Sequence, residues 1–316
     1  MHRKKLGERK IRKRLADNFP RFISPMLARP SKPFDSNQYL FEIKWDGIRA
    51  LVYIDSENAR LINRRGIEIT NRYPEFDFLS ILPEGLVLDG EIIIFHDGKP
   101  DFELLLSREN SRNHLKIREL SRRNPATYIV FDLLYKDYCS TMSLSLTERR
   151  QLLMKLVDEC KSTKLLFSDG IIGNGREFYR NACSRSLEGV VAKKLDSQYH
   201  AGKRSNAWKK INRVLRLYCS VIGFIPREGE DFQSLVIASN ENGKLRYIGK
   251  VGSGFSETMR RKINHFLWSQ LRQVPIIDCG IDAKWINPGL YCKVRFFEHT
   301  KSGMLRAPVF EDLITK

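Results

Sequence analysis

The sequence predicts an α+β chain of two domains, a larger one that mixes strands with helices and a smaller one built mostly of strands. Three observations carry this. At 316 residues the chain is about twice a typical single domain. Its apolar pattern changes after Asn212, from strands interleaved with helices to closely spaced strands. With 42% hydrophobic residues, including 18 Phe and 11 Tyr, it can fill two cores, which excludes wholesale disorder. The resulting boundaries are a basic arm over 1–21, a first domain over 22–212 and a second over 213–316.

Taken in order, the first fifteen or so residues form a dense basic run with little apolar periodicity, a mobile arm or a frayed helix. From Leu40 to Ile54 an apolar run is interrupted by Trp45-Asp46-Gly47, which reads as two strands joined by a tight polar turn. Strand-like runs follow at 59–63, 86–95, 127–135, 164–167 and 187–194. The clearest helix spans 145–158, where Ser145 and Glu148 have capping-box spacing ahead of leucines at 152, 153 and 156. Beyond Asn212, strands are expected over 217–225, 234–239, 244–252 and 290–299, with a turn at Asn242-Gly243 and one helix over 256–272. That spacing fits a small closed β-barrel of the OB type, and an SH3-like barrel would read similarly.

Charge points to the class of partner. The formal net charge is +18, and basic residues exceed acidic ones in the arm and in both domains. Several surfaces facing a phosphate backbone would account for this better than one basic tail. No apolar stretch approaches the ~20 residues that cross a bilayer, and the start lacks the apolar segment of a signal peptide. The expected location is therefore the cytoplasm, with no membrane partner. The six cysteines and six histidines are scattered, without C-x-x-C or H-E-x-x-H spacing, so neither a zinc site nor a disulfide framework is indicated.

The sharpest local signal is Lys44-Trp45-Asp46-Gly47-Ile48-Arg49, at a strand end and preceded by Glu42. A lysine there sits beside a turn whose glycine lets a substrate approach, and Arg49 offers a planar fork to an oxygen-rich ligand. A nucleophilic lysine must be neutral, and an ordinary pKa of about 10.4 would have to be depressed by burial or neighbouring cations. Read alone, the hexapeptide fits a surface lysine in a polar turn equally well.

Later segments follow in an order that resembles the nucleotidyltransferase motifs of the ATP-dependent DNA ligases and their relatives, the RNA ligases and capping enzymes. The hexapeptide resembles the motif K-x-D-G-x-R, which implies Lys44 as the residue that carries AMP. Asn63-Arg64-Arg65-Gly66 is similar to S-R-N-G, implying that Arg64 meets the nucleotide sugar or the 5′-phosphate end. Asp89-Gly90-Glu91 resembles D-G-E and implies Glu91 as a metal or ribose ligand. Phe131-Asp132-Leu133-Leu134 resembles the strand whose phenylalanine stacks on adenine, and Glu188-Gly189-Val190-Val191 the strand whose glutamate binds the metal. Trp208-Lys209-Lys210-Ile211 is similar to the segment whose lysines grip the α-phosphate, implying Lys210. Together these imply a nucleotide site of Lys44, Glu42, Arg49, Arg64, Glu91, Phe131, Glu188 and Lys210. Magnesium or manganese would be held by Glu91 and Glu188, and ATP is the implied cofactor. For the fold, the resemblance implies an adenylyltransferase domain of ATP-grasp-like antiparallel sheets with helices, ahead of an OB domain.

Residues 248–257 and 293–310 resemble the OB domain of bacterial ligase D and its stand-alone relative ligase C, so the likeness covers about residues 22–312. It implies a monomer that acts on nicks or ends of duplex DNA in bacterial break or excision repair, in the nucleoid, with end-binding repair proteins as partners. Two departures stand out. Asn212 replaces the second lysine of the α-phosphate segment, and the last motif keeps Arg306, Pro308 and Phe310 but continues as Glu311-Asp312-Leu313. Arg306 remains a nucleotide-site candidate. An RNA ligase or another covalent nucleotidyltransferase is the neighbouring alternative, and a non-catalytic nucleic-acid-binding relative is the alternative from another class.

Overall fold

The computed structural model describes residues 18–228, 231–241 and 243–314; most of the expected basic arm and Asn242 of the expected turn lie outside them. The chain divides into two compact units, one ending at Asn212 and the other starting at Arg213.

In chain order the first unit contains β1 (Leu27–Pro30), β2 (Ser36–Ile43), β3 (Ile48–Ile54), β4 (Ala59–Asn63), β5 (Leu86–His96) and β6 (Lys99–Pro100). After these come helices α1 (Phe102–Glu109) and α2 (His114–Arg123), β7 (Ala126–Lys136), β8 (Cys139–Ser140) and α3 (Leu146–Cys160). β9 (Leu165–Phe167), β10 (Gly170–Gly173), α4 (Gly175–Ser184), β11 (Gly189–Lys194) and β12 (Arg204–Asn212) complete it. The strands form two sheets. One runs β1-β12-β11-β2-β10, and the other β4-β3-β5-β7-β8 with β6 and β9 attached to β5 and β7.

An apolar cluster joins these two sheets, with Leu51, Tyr53 and Val87 from one side meeting Met26, Tyr199 and Trp208 from the other. The opposite face of the larger sheet packs on α1 and α3 through Leu105, Leu153 and Leu156. α3 forms where its capping box predicts, with Ser145 and Glu148 bonding each other's backbone N–H. The turn between β2 and β3 must be glycine at 47, since a Cβ there would lie 2.2 Å from the Ile92 carbonyl oxygen. Gly90 is required for a similar reason, because a Cβ would run into the Tyr128 ring at 2.5 Å.

The second unit contains β13 (Leu215–Arg227), β14 (Asp231–Glu241), β15 (Lys244–Val251), α5 (Glu257–Ser269), β16 (Leu271–Arg272), β17 (Lys284–Ile286), β18 (Tyr291–Phe296) and β19 (Val309–Ile314). Its core gathers Phe224, Leu235, Ile248 and Val294 from the sheet with Ile263 and Leu267 from α5. The expected closed barrel is not formed among the described residues. The seven strands make an open sheet resembling part of an OB barrel, in the order β15-β14-β13-β17-β16 with β18 and β19 branching from β13. The cause lies in β13, which bulges near Val221–Gly223; its free edge takes β18 along 215–220 and β17 only at 223–224. Between the outer strands, isolated bonds such as Phe310 N–H to the Ser253 carbonyl (2.9 Å) replace a ladder. The helix expected over 256–272 stops at Ser269, and the next residues turn into β16. Among the described residues no helix is long and apolar enough to cross a membrane.

Candidate active site

Between the two sheets of the first unit lies a cavity of about 250 Å³ to which both contribute. β2 and the turn after it bring Glu42, Lys44 and Trp45, β3 brings Arg49, and β5 brings Glu91. Phe131 comes from β7, Lys193 from β11, and Trp208 and Lys210 from β12.

Lys44 follows β2, and its backbone N–H bonds the Gly189 carbonyl (3.0 Å), which continues the antiparallel ladder of β2 with β11. That ladder sets Glu188 beside Lys44, and the two side chains form an ion pair that is 23% and 15% exposed. The pair is thus accessible to a ligand. Lys210 is placed by β12 next to β11, where burial, then Lys44 and Arg204, push its ammonium below the ordinary lysine range. Arg64 also acts on it, so Lys44, Lys210, Arg204 and Arg64 make one positive rim. Burial pushes the Glu91 carboxyl up to about 8, against the pull of Lys44 and Arg49 and with Glu188 and Asp89 adding repulsion.

Phe131 reaches the cavity because of a bulge. Asp89 pairs with Asp132 and Gly90 with Val130, so Phe131 is the extra residue and turns out of the core that holds its neighbours. Its ring meets Trp208 edge-on at 6.1 Å, forming an aromatic wall. Asp132 itself is buried and held in two hydrogen bonds by the buried Arg149, which also donates to the Leu144 and Ser197 carbonyls.

Arg49 lines the cavity, yet its fork is engaged by the protein. Nε and Nη2 donate to the Asp89 carboxylate at 2.8 and 2.5 Å and Nη1 to the Met26 carbonyl at 2.7 Å, while Tyr199 donates to Asp89 at 2.7 Å. The oxygen-rich partner that the sequence assigns to Arg49 is thus largely Asp89, which ties β3 to β5. Glu42 is equally enclosed, 2% exposed and paired with Lys193 (2.8 Å) and Arg150 (2.5 Å).

Sequence reasoning missed Lys193 and Arg204. Lys193 is buried with its ammonium 4.2 Å from the Phe131 ring centre and 4.5 Å from that of Trp208. The available signal was its place five residues after Glu188 on the same strand. Arg204 carried none, since only the parallel pairing of β12 with β1 brings it to the cavity. Asn212 is exposed at the end of β12, opposite Gly189, and its carbonyl accepts from the Tyr179 hydroxyl. Lys209 cannot stand in for the missing lysine, because it faces the Phe34 and Tyr39 rings. Arg306 lies in the second unit, where it pairs with Glu298 (2.6 Å) over the Phe297 ring.

Comparison with known proteins agrees with this layout. Residues 25–212 match the ATP dependent DNA ligase domain and 228–314 the ATP dependent DNA ligase C terminal region. The chain is 30% identical over 309 residues to the multifunctional non-homologous end joining protein LigD of Pseudomonas aeruginosa, covering 93% of this chain and 36% of that protein. It is 31% identical to the SPbeta prophage-derived DNA ligase-like protein LigB of Bacillus subtilis, covering 92% of this chain and 98% of the relative. The chain thus spans about a third of its LigD relatives and nearly all of LigB. Among solved structures, mycobacterial DNA ligase D complexed with ATP and MES matches 92% of this chain and 95% of its own, at 27% identity and a TM-score of 0.54. The two matched regions cover most of the sequence, and the chain belongs to the ATP-dependent DNA ligases.

Proposed function

We propose that the chain seals nicks or breaks in duplex DNA with ATP, and that Lys44 is its nucleophile. The observation that carries this reading is the convergence at one cavity of an accessible Lys44–Glu188 pair, a positive rim and an aromatic wall. The Lys44 amine attacks the ATP α-phosphorus and pyrophosphate leaves. The adenylate passes to a DNA 5′-phosphate, whose oxygen displaces the lysine. A 3′-hydroxyl then attacks that phosphorus and AMP departs. Glu188, already paired with Lys44, is the acceptor at hand for the ammonium proton. Lys210, Arg204 and Arg64 neutralise phosphate charge, which is the main demand of such a transfer. Phe131 offers its face to adenine, with Glu42 and Lys193 beneath it.

Magnesium or manganese suits the carboxylates of Glu91 and Glu188. Both donors are oxygen, and a nearby cation would relieve the crowding that raises Glu91. Among the described residues no three His, Cys, Asp or Glu side chains gather as ligands, which fits a cation that keeps waters and phosphate oxygens. Such an ion would add positive charge at the phosphates. Arg306 would reach the nucleotide from the second unit. The end-joining relatives favour bacterial DNA repair at ends or nicks, by a monomer in the cytoplasm alongside end-binding repair proteins.

The test is sealing of a singly nicked duplex whose 5′-phosphate strand is DNA or RNA, with ATP or GTP. ATP-dependent sealing of the DNA nick is expected. Sealing confined to RNA or to GTP would reassign the chemistry to an RNA ligase or capping-type enzyme. Binding with no nucleotide attached would leave a non-catalytic DNA-binding protein.

A further inference from the structure

A second groove, of about 620 Å³, shares Arg49, Arg64 and Glu91 with the nucleotide cavity and runs away from it toward the turn between α1 and α2. Its walls carry Arg65 and Arg112 in addition to Arg64, and its acids are Glu91 and Glu109. Glu109 is already neutralised, by Arg72 at 2.5 Å and by the Tyr73 hydroxyl at 2.6 Å. Arg64, Arg65 and Arg112 are exposed, and among the described residues none of them makes an ion pair. Unmatched guanidinium groups around one groove are a site for anions.

The two segments that hold these arginines are rigid. Asn63 Oδ1 accepts from the N–H of Arg65 and of Ile67, and Gly66 closes the turn at φ +79°, a conformation that favours glycine. Across the groove, the buried Arg108 donates to the Leu120 and Asn124 carbonyls and pairs with Glu75, which clamps α1 to α2. Asn113 caps α2 immediately after Arg112. Exposed Ile67 and Leu106 give the same groove an apolar floor. Alternating cationic and apolar contacts match a backbone of phosphates and sugars.

We propose that this groove binds the phosphodiester backbone of the nicked strand beside the reacting phosphate, through Arg65 and Arg112. The inference rests on the DNA-sealing reading above. The same phosphate chemistry could come from the triphosphate tail of ATP, and the test separates the two.

The experiment compares the wild type with the Arg65→Ala/Arg112→Ala double variant, using a nicked duplex and ATP. Both sites are exposed turns, and an unchanged melting temperature confirms folding. Affinity for nicked DNA is expected to fall at least about tenfold, the size of two charged hydrogen bonds lost at a solvated surface. The log–log salt slope should drop by about 1.8, about 0.9 for each phosphate released. The KM for ATP in self-adenylylation should stay unchanged. Single methylphosphonates along the nicked strand should weaken wild-type binding at one or two positions and leave the variant insensitive there. Unchanged DNA affinity and slope would overturn the proposal, as would a raised KM for ATP with normal DNA binding. A wild type that takes up no adenylate would instead refute the underlying DNA-sealing reading.

Discussion

Charges in the layer beneath the nucleotide cavity are paired, and those at its rim are exposed or accessible. Below, Arg149 with Asp132 and Arg49 with Asp89 are buried, two-point pairs that join strands and helices. Above, Arg64, Arg204 and Lys210 stand around one opening, and Lys44 shares its charge with a glutamate that solvent reaches. A buried pair fixes geometry, and breaking it strands a charge. An exposed cation adds little to stability and remains available for a ligand. The contrast separates arginines that build the site from those that use it.

Substitutions can break this contrast in order of expected size. Glu188→Ala should lower adenylylation roughly 100-fold or more, because a charged group at the reacting centre is lost. Its binding to nicked duplex by gel shift should persist. Near-normal rates would make Glu188 structural. Next, Asp132→Ala should destabilise the fold by about 3–5 kcal/mol, since Arg149 would be left buried and unpaired. Chemical denaturation measures this, and a loss below about 1 kcal/mol would contradict the assignment of that pair to the scaffold. Arg64→Ala should show the reverse pattern, with stability within about 0.5 kcal/mol of wild type and sealing reduced about tenfold, one charged contact to phosphate. Smallest is Asn212→Lys. At an exposed strand end a new cation is worth about 0.2–1 kcal/mol, so single-turnover adenylylation should change by no more than about fivefold.

Much of the site was legible in the sequence because its residues lie at strand ends marked by local patterns. Lys44, Glu91, Phe131 and Lys210 all reach the cavity where their motifs place them in order. Which cations end up paired could not be read, because pairing depends on register. Arg49 meets Asp89 only because β3 lies against β5 with Leu51 opposite Asp89, 40 residues apart in sequence. Phe131 points outward through a bulge that alternation does not encode, and Arg204 arrives through a parallel pairing with β1. The open edge of the second sheet was equally hidden, since strand spacing predicts the number of strands and not whether the last meets the first.

The central claim is that Lys44 forms a covalent bond to adenylate. Intact-mass measurement of the full chain with ATP and magnesium, before and after pyrophosphate, tests it most directly. The account predicts a gain of one adenylate that pyrophosphate reverses, that maps to the peptide containing Lys44 and that is absent from Lys44→Ala. An adduct that survives in that variant, or none in the wild type, would contradict it.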